Sequence, residues 1–246
     1  MEITFLGTNG WYSTSSNTIC TLIESNAYYI ILDAGDGLSK LDKYIKSNKP
    51  IILFLTHTHL DHVIGLHALS KFRFKQGIKI ISYKGTKNAL NSIIKHPYTT
   101  PLSNLPYKVE ILEFDEGNHS NIVNFTCKLL IHSDNCLGYR ICIDDKIITY
   151  CTDTGVCDNI NLLSKDTDLL ISECSYKPGQ EKWGWPHLKP EEIANIAKES
   201  SIKFLILTHF DASIFNTKED REIAIRVANE IFPNTIGAYD GFRFSL

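Results

Sequence analysis

Residues 56–62 read THTHLDH and follow the apolar run IILFL at residues 51–55. A short apolar run of this kind predicts a buried strand, so the polar groups come where that strand ends. They are three imidazoles and one carboxylate, from His57, His59, Asp61 and His62. Burying these groups together without a cation would carry a large desolvation cost. The stretch therefore predicts a metal site at the edge of the core.

Three more groups of the same chemical kind follow apolar runs elsewhere in the chain. His132 comes after CKLLI, Asp153 after ITYCT, and His209 after FLILT. Strand ends of this kind converge on one rim of packed sheets, where ligand sites are built. Imidazole and carboxylate groups bind zinc, and they also accept manganese or iron. We therefore predict seven ligands for two zinc ions: His57, His59, Asp61, His62, His132, Asp153 and His209.

Three other histidines lack this position at the end of an apolar run. We predict His67 on a helix surface or in support of a ligand, and His96 and His119 in loops. A lone histidine is more often structural than a ligand, so these three are left out of the metal site.

Strands and helices alternate in two similar halves of the sequence. Apolar segments predict strands at residues 2–6, 18–25, 27–35, 50–55, 78–85, 124–131, 137–144, 146–152, 167–173, 202–209 and 242–246. Amphipathic spacing predicts helices at residues 36–47, 63–72, 189–200 and 219–232. This order indicates an α/β fold in which two sheets pack face to face with helices outside. No linker or repeat divides the chain, so we predict a single domain over residues 1–246.

Composition limits the classes of protein to which the chain can belong. It has 43% hydrophobic and 22% charged residues and a formal net charge of −3, which argues against a surface coated in basic groups for nucleic acid. The N-terminus lacks the pattern of a signal peptide, and no apolar run approaches the ~20 residues of a membrane span. Seven cysteines at irregular spacing are then expected to be reduced thiols. We expect a cytoplasmic protein with no membrane partner.

The motifs resemble those of the metallo-β-lactamase fold superfamily along the whole chain. FLGTNG at residues 5–10 looks like its first strand and loop, ILDAGDG at 31–37 like its LxDxGxG segment, and THTHLDH is similar to its signature. The nearest pattern is that of ribonuclease Z and its phosphodiesterase relatives. HSDNCLGYRICID at 132–144, YCTDTG at 150–155, DLLISECSY at 168–176 and HLKPEEIANIAKESSIKFLILTHF at 187–210 resemble segments of that branch.

The resemblance implies a four-layer αββα sandwich and a role for each ligand. One zinc ion would be bound by His57, His59 and His132, and the other by Asp61, His62 and His209, with Asp153 bridging them. A metal-bridging hydroxide would be the nucleophile. Two catalytic residues are implied as well: Asp61 would orient the hydroxide or take its proton, and His187 would support the scissile phosphate and the leaving group. Family resemblance also suggests a homodimer.

Two departures from ribonuclease Z bear on the substrate. Its long Gly/Pro-rich arm, which grips tRNA, lies between the third histidine and the bridging aspartate, but here only 20 residues separate His132 from Asp153. In addition, Lys189 stands where that family has Ser or Thr after the catalytic histidine. The chemistry of the site does not need the arm, so a small phosphodiester is the more natural substrate.

We therefore predict a dinuclear zinc-dependent phosphodiesterase, with three alternatives. One is a ribonuclease Z-type tRNA 3′ endonuclease, for which the substrate is an RNA 3′ end. Another is a thioesterase-like hydrolase of the same fold. The third is a metal-binding sensor with little turnover, which the complete ligand set disfavours.

Two features near the predicted site have two interpretations each, and a third is a candidate for the rim of the site. In KWGWPH, Trp183 and Trp185 either contact substrate or pack their loop onto the sheet. Glu173 either hydrogen-bonds His187 or a ligand histidine, or is a plain loop carboxylate. The loop GTNGWYSTSSNT at residues 7–18 could rim the site, with Ser16 and Asn17 as the candidates for hydrogen bonds to it.

Overall fold

Two seven-stranded sheets form the centre of the fold, and the computed structural model describes residues 1–246. The strands are β1 (Glu2–Gly7), β2 (Asn9–Gly10), β3 (Cys20–Glu24), β4 (Tyr29–Leu32), β5 (Ile51–Phe54), β6 (Ile78–Tyr83), β7 (Val109–Phe114), β8 (Gly117–His119), β9 (Asn124–Leu129), β10 (Leu137–Ile143), β11 (Lys146–Cys151), β12 (Leu169–Glu173), β13 (Phe204–Thr208), β14 (Phe210–Asp211), β15 (Thr235–Gly237) and β16 (Arg243–Ser245). The α-helices are α1 (Leu60–Val63), α2 (Thr86–Ile93), α3 (Asp158–Ser164), α4 (Pro190–Glu199) and α5 (Lys218–Ile231). Three 3₁₀ helices cover Asp36–Lys43, Ile64–Lys71 and Leu102–Asn104.

The two sheets have related topologies. The first has the strand order β16-β1-β3-β4-β5-β6-β7, and the second has β15-β13-β12-β11-β10-β9-β8. Each joins an antiparallel half to a parallel half, which runs from β4 to β7 in the first sheet and from β11 through β12 and β13 to β15 in the second. The carboxyl ends of the parallel strands lie at one edge of each sheet, and six of the seven predicted ligands follow them. The seventh, His132, follows β9, which runs in the same direction as β11 because both are antiparallel to β10.

Three layers of buried side chains separate the four layers of backbone. Phe54 and Tyr139 meet between the sheets, with ring centroids 5.0 Å apart. Leu41 and Leu90 belong to the layer outside the first sheet, and Ile193 belongs to the layer outside the second. The predicted αββα sandwich is therefore confirmed.

Helices deviate from prediction more than strands do. The segments predicted as helices at 36–47 and 63–72 are mostly 3₁₀ helix, over Asp36–Lys43 and Ile64–Lys71. The second segment packs closely on the chain before the first, because a Cβ on Gly65 would clash with the backbone of Gly35. The helices α2 and α3 and the strands β2, β7, β8, β14 and β15 were not predicted: α2 and α3 are short, four of the strands have only two or three residues, and β7 lies at a sheet edge where burial is incomplete.

The longest helix, α5, has 14 residues, and no helix combines the length and hydropathy needed to cross a membrane. All seven cysteines are free thiols, as expected.

Candidate metal centre

The structure brings all seven predicted ligand side chains to one edge of the sandwich. Within each of three groups, the atoms that could bind a metal lie within 4.8 Å of one another. The groups are His57, His59 and His132; Asp61, His62 and His209; and His57, His62 and Asp153. His57 and His62 thus connect the groups into one cluster.

The first group presents imidazole nitrogens to a common point. His57 follows β5 and is 2% exposed, and its Nε2 atom is buried with no hydrogen-bond partner. The Nε2 atom of His132 lies 3.2 Å from Nδ1 of His59. Burial lowers the pKa of His57, and it lowers the pKa of His132 to about 4. His57 and His132 therefore offer neutral imidazoles, the form that binds a metal ion.

The second group has the spacing of a tetrahedral site. Asp61 Oδ2 lies 3.5 Å from His62 Nε2 and 3.4 Å from His209 Nε2, and the two ring nitrogens are 3.2 Å apart. Zinc–nitrogen bonds of about 2.0–2.1 Å imply an edge of about 3.3 Å between tetrahedral ligands. The donor atoms thus fit a zinc-sized ion.

Asp153 reaches both groups with its two carboxylate oxygens. Oδ2 is 3.0 Å from His62 Nε2 and 3.1 Å from His209 Nε2, while Oδ1 is 3.9 Å from His132 Nε2. The residue lies two positions after the end of β11, in a left-handed conformation with φ of 53°. Such conformations are uncommon for residues other than glycine and cluster at functional sites. One carboxylate thus places its two oxygens near ring nitrogens of both groups.

Opposing effects set the charges of the second group before metal binds. Burial favours neutral Asp61, but His62 and His209 hold its pKa below the usual range. Burial also favours neutral His62, yet Asp61 and Asp153 raise its pKa. The cluster therefore combines ionised carboxylates with imidazoles that hold protons, and a metal ion would replace those protons.

Asp33 is a buried carboxylate that sequence reasoning did not assign to the site. It follows β4 and accepts hydrogen bonds from Tyr150 Oη at 2.7 Å, from the backbone N–H of Thr56 at 2.8 Å and from His62 Nδ1 at 2.9 Å. The bond keeps the Nδ1 proton of His62 on the side of Asp33, so Nε2 is the nitrogen whose proton a metal ion would replace. Asp33 belongs to the ILDAGDG motif, which was the available signal.

The Thr56 hydroxyl links Asp33 to His57 through hydrogen bonds. Its Oγ1 lies 3.0 Å from both Asp33 carboxylate oxygens and 3.0 Å from His57 Nδ1. Because the hydroxyl has one hydrogen and the carboxylate can only accept, Oγ1 donates to Asp33 and accepts from His57 Nδ1–H. The Nε2 atom of His57 then has its lone pair free.

Asp33→Asn is expected to weaken metal binding ~10- to 100-fold, the range for removing a partner that orients a ligand. The amide keeps the side-chain shape but cannot accept all of these hydrogen bonds, so the ring orientations of His62 and His57 become less fixed. A competition titration with a chromophoric chelator measures the change. The control is Asp168→Asn, at a carboxylate that pairs with Lys203 and touches no ligand. Equal affinities in Asp33→Asn and the wild type would contradict the assignment.

His209 is held by Ser175 and by a close backbone approach. Ser175 Oγ donates to the His209 carbonyl oxygen at 2.9 Å and lies 3.2 Å from Nδ1, from which it can accept a hydrogen bond. On the other side of the ring, a Cβ on Gly10 would clash with the imidazole. The β2–β14 pair joins these two segments, because Asn9 pairs with Phe210 directly after His209.

His187 and Glu173 form a pair beside the first group. His187 Nδ1 lies 2.9 and 3.1 Å from the two carboxylate oxygens of Glu173, which also accepts the backbone N–H of Thr154 at 2.6 Å. Burial opposes the imidazolium, but the Glu173 carboxylate raises the pKa of His187 to about 9. His187 also lies within 4.8 Å of ligand atoms of His132 and Asp153. Of the two interpretations of Glu173, the hydrogen bond to His187 is the one observed.

The other predictions, for three histidines and for the loop at residues 7–18, have different outcomes. His67 is exposed on the 3₁₀ helix Ile64–Lys71, and His96 lies in a turn, so neither joins the cluster. The loop prediction for His119 is wrong: this residue is on β8, with its ring 4.7 Å from that of Phe114. The 7–18 loop does reach the site, but through the backbone N–H of Trp11, which donates to Asp61 Oδ2 at 2.8 Å, and not through Ser16 or Asn17.

Comparison with known proteins gives one consistent family. The model of the beta-lactamase superfamily domain matches residues 28–210. The chain is 27% identical to the probable metallo-hydrolase YhfI of Bacillus subtilis, over 85% of this chain and 86% of that protein. It is 26% identical to ribonuclease Z of Streptococcus gordonii, over 95% and 96% of the two chains.

Solved structures show the same fold. The crystal structure of YhfI matches with a TM-score of 0.80 and 24% identity over 99% of this chain and 98% of that one. Human tRNase Z, short form, matches with a TM-score of 0.76 and 21% identity over 100% and 99%. The chain therefore belongs to the beta-lactamase superfamily domain family, and it is a metal-dependent hydrolase with the metallo-β-lactamase fold and the motif pattern of its ribonuclease Z-like branch.

Proposed function

We propose that the chain is a dinuclear zinc phosphodiesterase that acts on a small phosphodiester. The observation that carries this proposal is the His187–Glu173 pair. A ring nitrogen of His187 lies within 4.8 Å of the atoms of His132 and Asp153 that could bind a metal. A hydrolase that only activates water needs the ligands alone. His187 adds an imidazole that is not one of the predicted ligands, and a buried carboxylate holds it beside them. Such an imidazole suits a reaction in which a charged phosphoryl group and a basic leaving group need a proton donor.

His57, His59 and His132 would hold one metal ion, and Asp61, His62 and His209 the other, with Asp153 between them. When bound, the two ions would supply Lewis acidity and lower the pKa of water. Two observations support the fit of these residues to metal ions. The Nε2 atom of His57 is buried without a partner. The Nε2 atoms of His62 and His209 lie 3.0–3.5 Å from each other and from carboxylate oxygens of Asp61 and Asp153.

Proton donation and orientation of the attacking water are assigned to side chains of the protein. Glu173 accepts from His187 Nδ1, so His187 Nε2 is the nitrogen left to donate to a phosphoryl oxygen or to the leaving oxygen. Asp61 stays ionised, and the Trp11 N–H at 2.8 Å fixes its Oδ2 atom. In this proposal Asp61 orients the attacking water molecule, and His187 serves the phosphoryl oxygen or the leaving oxygen.

A ribonuclease Z activity on tRNA is the second candidate, favoured by relatives of that name that align over most of the chain. The alignment with the Streptococcus gordonii enzyme runs over 305 positions, more than the 246 residues of this chain, because that relative carries residues that are missing here. Between His132 and Asp153, this chain has only the β10–β11 hairpin. A smaller substrate suits this shorter chain better.

A panel of substrates tests the proposal. The zinc-loaded protein is assayed with bis-p-nitrophenyl phosphate, a thioester, a β-lactam and a tRNA with a 3′ extension. We expect turnover of the diester and none of the thioester or the β-lactam. Cleavage of the tRNA at its 3′ end would establish the second candidate instead. Turnover of the thioester alone would overturn both, together with the role given to His187.

A further inference from the structure

All three tryptophans of the chain are exposed, and all three lie in segments that reach the metal centre. Trp11, Trp183 and Trp185 have exposed fractions of 65%, 68% and 54%. Tryptophan is highly buried on average in folded proteins, yet the three buried layers of this protein contain none. Large exposed aromatic surfaces that gather at one place commonly mark a binding site.

Trp11 is tied to one side of the centre through its backbone. Its N–H donates to Asp61 Oδ2 at 2.8 Å, and its φ of 69° is left-handed, which is rare for a bulky residue. Asn9 keeps the loop in this shape, because its Nδ2 atom donates to Tyr12 O at 3.1 Å and to Ser16 O at 3.2 Å. Arg221 of α5 in turn donates to Asn9 Oδ1. The exposed indole is therefore attached to a fixed backbone.

Trp185 and Trp183 are tied to the other side, next to His187. The Trp185 carbonyl oxygen accepts the His187 N–H at 3.0 Å and the Tyr176 hydroxyl at 3.2 Å. The same hydroxyl oxygen accepts the Trp183 N–H at 3.3 Å. Tyr176 is buried, so it anchors both backbones while their side chains stay exposed. The backbone of Trp11 thus contacts Asp61 and that of Trp185 contacts His187, so both exposed indoles belong to residues bonded to the site.

Two of the three lysines between β12 and α4 are held in ion pairs. Lys177 Nζ lies 2.6 Å from Asp220 Oδ1, and Lys182 Nζ lies 2.9 Å from Glu192 Oε2. A long nucleic acid needs several unpaired cations for its phosphates. Stacking on an aromatic face needs none and accepts any base. These features favour a short substrate with an aromatic ring.

We propose that Trp11 and Trp185 bind the nucleobase of a nucleotide-sized phosphodiester whose phosphate lies at the metal centre. This inference rests on the proposed phosphodiesterase function and names the class of its substrate. The indole faces stack on the base, and the fixed backbones of Trp11 and Trp185 set how far that base lies from the scissile phosphate.

Two substrates that differ only in the base test the proposal. They are the 5′-(p-nitrophenyl) phosphates of thymidine and of 1,2-dideoxyribose, which release the same leaving group. We expect the zinc-loaded wild type to have a higher kcat/KM for the thymidine compound. Trp11→Ala and Trp185→Ala should each lower that preference ~10-fold, mainly through KM, since stacking of one base is worth ~5- to 150-fold in binding. The phenylalanine variants should retain most of it.

Tyr98→Ala is the matched control, because Tyr98 is an aromatic residue that is 73% exposed and lies outside the site. Binding without turnover gives a second readout: thymidine 5′-monophosphate should quench the intrinsic fluorescence saturably, and Trp11→Phe and Trp185→Phe should each remove part of the quenching. A Tyr98→Ala variant that loses the preference equally would overturn the proposal.

Other outcomes separate this inference from the function on which it rests. Hydrolysis of neither diester would mean that the phosphodiesterase proposal itself is wrong. Hydrolysis of both at equal rates, without saturable quenching, would overturn the base-binding role alone. A change in molar mass by light scattering in Trp185→Ala would instead assign the indoles to a contact between two copies of the chain, and would also overturn it.

Discussion

Asp153→Ala is expected to lower the bound metal from two equivalents to about one and to reduce turnover of a phosphodiester by at least ~10²-fold. The reason is the position of the two carboxylate oxygens. Oδ2 lies 3.0 Å from His62 Nε2 and 3.1 Å from His209 Nε2, and Oδ1 lies on the side of His132. Alanine removes a donor from both groups at once, so metal content and activity should fall together.

The control for this variant is Asp166→Ala. Asp166 is also an aspartate in the left-handed region, with φ of 52° against 53° for Asp153, but it is exposed and lies outside the cluster. Any effect of placing alanine in this backbone conformation should therefore appear in both variants. Metal content is measured by elemental analysis after gel filtration. An active Asp153→Ala protein with two metal ions still bound would remove Asp153 from the bridge.

His187→Ala is expected to keep the metal content and to lower turnover ~10²- to 10⁴-fold, the range for losing a general acid. The loss should be larger for a diester with an alkoxide leaving group than for one that releases p-nitrophenolate, because the more basic oxygen depends more on a proton. Turnover of bis-p-nitrophenyl phosphate and of a dinucleotide, each with metal analysis, measures the difference.

Two further variants serve as comparisons for His187→Ala. Glu173→Gln keeps the shape of the partner of His187 but removes its charge, and should give a weaker form of the same phenotype, ~10- to 100-fold. His67→Ala changes an exposed histidine outside the cluster and should have no effect. Loss of metal from His187→Ala would reassign this residue as a ligand, consistent with its distance to His132 and Asp153. Equal losses on the two substrates would limit it to holding the phosphate.

The cluster was predictable because each of its members is marked locally. His57, His132 and His209 each follow an apolar run, and the chemistry of imidazole and carboxylate together indicates a metal ion without knowledge of the fold. The pairing of β11 with β12, of β12 with β13, and of β10 with both β9 and β11 then brings the strand ends of the second sheet together. Parallel strands in adjacent order make such convergence a general expectation.

The groups that orient the ligands were not predictable in the same way. Asp33 is 29 positions from His62, and Ser175 is 34 positions from His209, yet both touch the imidazole Nδ1 atom. Nothing in the local sequence marks Ser175 as different from any other serine. The same is true of Trp11, whose backbone N–H reaches Asp61 across 50 positions. These contacts depend on the tertiary arrangement, which a linear pattern does not encode.

The measurement that tests the account most directly is a metal titration followed by turnover in the same samples. Protein stripped with a chelator is reconstituted with increasing equivalents of zinc, and hydrolysis of bis-p-nitrophenyl phosphate is measured at each step. We predict that activity appears on addition of metal and reaches its maximum at two equivalents per chain. Full activity at one equivalent, or diester hydrolysis by the stripped protein, would contradict a two-metal phosphodiesterase.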